Sequence, residues 1–166
     1  MSLTSGLSNG KKLRLAMAHN AKICRILDAN ANRAREGLRV VEEYLRLVLD
    51  NAEFTARLKA FRHRITGAVS VMNLDEQLIA SRESASDVGA TNSTASESNR
   101  NGFDHVVMAN LRRSQEALRV LEEYSKLLST AAAAEFKRLR FETYSLERDI
   151  RLCSLRKPRK SGNKRP

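Results

Sequence analysis

Residues 29–44 read Ala-Asn-Ala-Asn-Arg-Ala-Arg-Glu-Gly-Leu-Arg-Val-Val-Glu-Glu-Tyr, and residues 109–124 read Ala-Asn-Leu-Arg-Arg-Ser-Gln-Glu-Ala-Leu-Arg-Val-Leu-Glu-Glu-Tyr. Ten of the 16 positions are identical at an offset of 80 residues. Apolar spacing alone arises easily in unrelated helices. Retention of one Asn, two Arg and three Glu at fixed spacing does not, and it points to specific contacts made by the polar set.

Working outward, the first copy sits in a run of helix formers from about Ala21 to Leu49, with apolar residues at 34, 38, 41, 45 and 48. That i, i+4, i+7 stripe predicts an amphipathic helix. Asp50-Asn51 breaks it, and a second helix is predicted from Glu53 to Met72, with a short helical piece over Leu74–Ala80. Residues 81–103 turn to Ser, Thr, Asn, Gly and Glu and lose apolar periodicity, which reads as a long functional loop. Asp104, a predicted N-cap, opens a third helix to about Leu128, and a fourth spans Ala131 to Leu155. Leu58-Lys59 and Phe61-Arg62 are echoed by Phe136-Lys137 and Leu139-Arg140 at an offset of 78. The repeated unit is therefore a helical hairpin. The expected fold is all-α, a bundle of two such hairpins (about 21–72 and 104–155) with pseudo-two-fold symmetry. Residues 1–20 are expected to be a flexible lead-in, 21–155 a single domain and 156–166 a disordered tail.

Composition supports this class. With 166 residues, 42% apolar, 30% charged, two prolines and no tryptophan, the chain suits one mostly helical domain with a real core. No run reaches the ~18 apolar residues of a membrane span, and no signal peptide is visible, so a cytoplasmic protein is expected. Cys24 and Cys153 have no ligand spacing and read as packing residues. The net charge of +11 is concentrated at one end: residues 156–166 hold six cations and no acid, and the remainder carries only +5.

On the repeated helix, one face holds Asn30, Arg33, Gly37, Val40, Tyr44 and Leu47, with Glu36 and Glu43 at its edge. The second copy puts Asn110, Arg113, Ala117, Val120, Tyr124 and Leu127 there, flanked by Glu116 and Glu123. A small residue at 37 or 117 would let another helix approach closely. Converging arginine forks would suit phosphate oxygens, and the carboxylates would hold Mg²⁺ or fix the arginines. The competing explanation is a set of internal ion pairs, since Arg35 and Arg39 stand three or four residues from several glutamates. The loop adds Arg82, Asp87 and Gly89. Phosphate-loop, dinucleotide, zincin and nucleophile-elbow signatures are absent.

The segments Arg25–Tyr44 (R-I-L-D-A-N through R-A-R-E-G-L-R to E-E-Y), Arg82 to Gly89, and Ala109–Lys126 together resemble the small monofunctional hydroxymethylpyrimidine phosphate kinases of thiamine biosynthesis. Members stand alone or fused in front of thiamine-phosphate synthase. The similarity runs from Arg25 to Glu147 and includes Phe136, Arg140 and Tyr144. The loop departs from the family's R-D-T-x-x-D-x-G-T at Glu83, Ser84 and Ala90. The resemblance implies an ATP-dependent phosphotransferase that converts 4-amino-5-hydroxymethyl-2-methylpyrimidine phosphate to its diphosphate, with ATP and Mg²⁺ as cofactors. Taken with the residue reading, it makes Arg33, Arg113, Arg82, Arg140 and Asp87 the expected catalytic set. Asn30, Asn110, Arg39, Arg119 and Lys126 would contact substrate, and Glu36, Glu116 and Asp87 would hold the metal.

Two other readings come from different classes: a basic helical nucleic-acid-binding module, and a non-catalytic partner of thiamine-phosphate synthase. The second would bind through Val40, Tyr44 and Leu47 and would turn over no ATP. A homo-oligomer is compatible with all three.

Overall fold

A computed structural model describes residues 9–83, 85–88 and 99–156. Among them there are helices and turns and no strand: α1 (Asn9–Leu47), α2 (Ala52–Ser70), α3 (Asp75–Ala80), α4 (Phe103–Ser125) and α5 (Thr130–Arg156). The all-α class expected from periodicity is the one observed. Ser84, Gly89, Ala90 and the rest of 89–98, and the basic tail from 157 onward, lie outside the described residues.

The apolar stripe of α1 becomes the centre of the core. Ala34, Leu38, Val41 and Leu45 are fully buried, joined by Leu58 and Ile65 of α2, Leu111, Leu118 and Leu121 of α4, and Phe136, Leu139 and Ile150 of α5. Val48, the last member of the predicted stripe, is 44% exposed because α1 has already ended at Leu47. Asp50 then takes a left-handed φ of 48°, a region that Asp tolerates. Asn51 caps α2, its side chain accepting from the Phe54 amide at 3.0 Å and satisfying one of the orphan donors of the first turn.

Helix α1 packs mainly against α4, and next against α2; α4 in turn pairs with α5, while α2 and α5 touch over a smaller area and α3 lies on α1. The α1–α4 contact is close because position 37 lacks a side chain. A Cβ built on Gly37 would stand 2.7 Å from the Asn110 carbonyl oxygen and would also strike the Ser114 hydroxyl. Ser114 Oγ lies 2.9 Å from Asn110 O and 3.2 Å from Ala34 O across the interface. The small residue expected to admit a neighbouring helix does so.

Two boundaries are corrected. Residues 9–20 continue α1 instead of forming a flexible lead-in: Ala16, Ala18 and Ala21 favour the helix without burial, so helix persists where the apolar stripe has stopped. Asp104 is not the cap of α4. Gly102, at φ 91°, holds that place, and Asp104 sits in the first turn, where a carboxylate meets the positive end of the helix dipole. The internal symmetry does not extend to the whole fold, since α1 has 39 residues, α4 has 23, and α3 has no counterpart among the described residues.

Candidate functional site

The repeated polar set has a definite destination. Glu42, only 3% exposed, accepts from Arg39 Nη1 at 3.1 Å on its own helix and from Arg62 Nε at 2.8 Å on α2. Glu122, 4% exposed, accepts from Arg119 Nη1 at 3.0 Å and from Arg140 Nε at 2.8 Å on α5. Each hairpin thus buries one carboxylate between two guanidinium groups and ties its two helices together. Arg119 also pairs with Glu123, as Lys126 does at 2.8 Å. The Arg140 guanidinium donates to the Tyr144 hydroxyl at 3.1 Å and lies 4.8 Å from the centre of the Phe141 ring. Glu122 first, and Tyr144 second, push its pKa still higher, so it stays charged at any working pH. Arg39, Arg119, Arg140 and Lys126 therefore spend their charge inside the fold.

Asn30 and Asn110 also match. Each amide donates at 2.8 Å to the carbonyl four residues earlier, Ile26 and Val106 respectively. That bond answers why Asn is tolerated at these helix positions.

What remains converges at the first half of α1. A cavity of about 380 Å³ lies between α1 and the following loop, lined by Arg25, Ile26, Ala29, Asn30, Arg33, Ser86, Asp87 and Val88. Three residues singled out in the sequence, Asn30, Arg33 and Asp87, meet there. Arg33 is exposed and forms no ion pair with a described residue. The loop is fastened to α1 by a two-point contact: Arg82 Nε donates to Asp28 Oδ2 at 2.7 Å and Nη2 to Asp28 Oδ1 at 2.9 Å. Arg25 Nη2 adds a bond to the Glu83 carbonyl at 2.8 Å. Asp28 holds the Arg82 pKa above its ordinary value, mainly through the hydrogen bonds. Arg82 is thus a fastening for the loop wall. Asp28→Ala should accelerate amide exchange at residues 81–83 severalfold while leaving the melting temperature nearly unchanged, because only this local contact opens. Hydrogen exchange followed by mass spectrometry reads both effects.

Arg113, Glu116 and Asn110 are not among the residues lining that cavity, so the two copies do not furnish it jointly. Glu36 and Glu116 are exposed on different helices and Asp87 belongs to the loop; among the described residues no three His, Cys, Asp or Glu side chains stand together as ligands. Sequence reasoning missed Asp28 and Arg62. The Phe61-Arg62 echo of Leu139-Arg140 was the signal for Arg62; Asp28 lies in the R-I-L-D-A-N segment, but nothing local tied it to a loop 54 residues away.

A family profile described as the ThiD2 family matches residues 25–149. The chain belongs to the ThiD2 family. It is 43% identical over 135 residues to the thiamine-phosphate synthase of Rhodopirellula baltica, covering 81% of this chain and 36% of that protein. It is 44% identical over 133 residues to the thiamine-phosphate synthase of a Synechocystis species, covering 80% and 37%. The match to the protein of that name from Thermosynechococcus vestitus is 40% over 148 residues, 89% and 38%. The chain spans little more than a third of these curated relatives. No solved structure matches.

These findings correct the kinase expectation. The relatives are named for thiamine-phosphate synthase, a transferase that is not an ATP-dependent kinase. Identification as a monofunctional pyrimidine-phosphate kinase, the phosphotransferase activity, and ATP as cofactor are therefore withdrawn for this ThiD2 chain. The motifs were long enough to show kinship, but a reaction cannot be read from kinship alone. Among the described residues no helix is long and apolar enough to cross a membrane.

Proposed function

We propose that this chain is a non-catalytic helical partner of a thiamine-phosphate synthase, acting in thiamine biosynthesis. The carrying observation is kinship with proteins bearing that name in a chain whose repeated carboxylates, Glu42 and Glu122, each lie buried between two guanidinium groups. Part of its repeated charge supports a scaffold: Arg39 with Glu42, and Arg119 with Glu122, form the two buried carboxylate clamps that hold helices together. Along one side of α1 it displays Val40, 39% exposed, and Leu47, 63% exposed, beside Tyr44, whose ring packs 5.7 Å from that of the exposed Phe103. Exposed aliphatic and aromatic residues in one stripe make an anchoring surface for a protein. The cavity with Asn30, Arg33 and Asp87 takes a small anionic metabolite, Arg33 meeting its charge.

The test is direct titration of the purified chain into the thiamine-phosphate synthase of the same organism, followed by calorimetry. A complex is expected, and Val40→Asp with Leu47→Asp should weaken it by roughly 30-fold or more, since loss of a central apolar anchor costs about 2 kcal/mol. Absence of a complex, or consumption of ATP by the chain alone, overturns the proposal.

A further inference from the structure

The first 27 residues contain no acid, and the first part of α1 carries Lys11, Lys12, Arg14 and Lys22. Residues 10–12 and 14–22 are all exposed, and burial begins at Ile23. At 1.5 Å per residue this is an arm of about 20 Å standing clear of the bundle. None of its four cations forms an ion pair with a described residue. In the body, by contrast, Arg39, Arg62, Arg64 and Arg140 all meet carboxylates. The arm thus joins unpaired charge with exposure along its whole described length.

The arm is not merely cationic. Leu15 is 56% exposed and Met17 65%. Two positions apart on a helix they point about 200° from each other, so a flat surface or a rod-shaped polyanion could cover only one of them. Both are covered when the helix lies in a groove. We infer that the arm, residues 10–22, docks into an apolar cleft rimmed by acidic side chains on the synthase partner. This rests on the partnership proposed above and adds a second anchor, distinct from Val40 and Leu47 near the other end of α1. Helix-in-groove binding takes its affinity from the apolar floor, and the rim charges set orientation and encounter rate.

The experiment uses the full chain with two sets of changes: Lys11→Glu, Lys12→Glu and Arg14→Glu, and separately Leu15→Ser with Met17→Ser. Since these side chains are exposed, thermal melting should change little, which separates docking from folding. Titration into the same synthase should show each set weakening the complex by about tenfold or more. Raising the salt should weaken the unaltered chain and strengthen the charge-reversed one, whose new repulsion from the acidic rim is screened. A complex that forms with unaltered affinity in both variants overturns the arm inference and leaves the partnership standing. No complex with the unaltered chain overturns both. A short double-stranded DNA bound as tightly as the synthase, and lost on charge reversal, overturns the inference in favour of a polyanion.

Discussion

Glu122→Ala should destabilise the fold by about 3 kcal/mol, the lower end of the cost of removing one partner from a buried ion pair. The Glu122 side chain is 5% exposed and that of Arg140 13%, so the substitution leaves a guanidinium with little access to water. The low end applies because Arg140 keeps the Tyr144 hydroxyl. For a domain of this length the melting temperature should fall by roughly 6 to 12 °C. Arg119→Ala removes the other guanidinium, but that side chain is 54% exposed, and its loss should cost about 1 kcal/mol at most. Replacing Glu122 and Arg140 together by Leu and Met should recover much of the loss, because the penalty comes from an unpaired charge more than from a missing attraction. Urea melts of the four proteins test this; equal effects of Glu122→Ala and Arg119→Ala would contradict it.

The second large effect concerns glycine. Gly67→Ala should stabilise by about 1 kcal/mol, the ordinary helix-interior gain, because a Cβ there meets nothing within 4 Å. At Gly37 the same substitution should have the opposite sign. The obstacle 2.7 Å away is the Asn110 carbonyl, part of a helix backbone that cannot rotate aside. The intrinsic gain is outweighed by separation of α1 from α4, an overpacking cost of about 1–3 kcal/mol, and Gly37→Val should cost more still. Paired urea melts decide it. Stabilisation by Gly37→Ala would mean that the α1–α4 contact is looser than described.

These two results bear on how far the repeat could be interpreted. Its glutamates and arginines were legible as a set that must touch something. Whether they faced a ligand or each other was not, because Arg62 lies 20 residues from Glu42 and Arg140 lies 18 from Glu122. Only the docking of α2 on α1 and of α5 on α4 brings the partners within reach. Arg33 and Arg113 each have one glutamate three residues on, Glu36 and Glu116, whereas Arg39 and Arg119 have glutamates both three and four residues on and are the ones engaged.

The candidate cavity was legible in part. Asn30, Arg33 and Asp87 could be named beforehand; that they share one wall, while Asn110 and Arg113 do not join them, follows from Arg82 fastening the loop to Asp28.

From its residues alone this chain determined four long helices, their inward stripes, the duplication and the need for a small residue at position 37, because hydrophobic period and steric size act locally. The partner of each charged group, the wall of the cavity and the unsupported reach of the first helix were decided by tertiary packing. Those features depend on which distant surfaces meet, and residues 10–12 and 14–22 are left exposed.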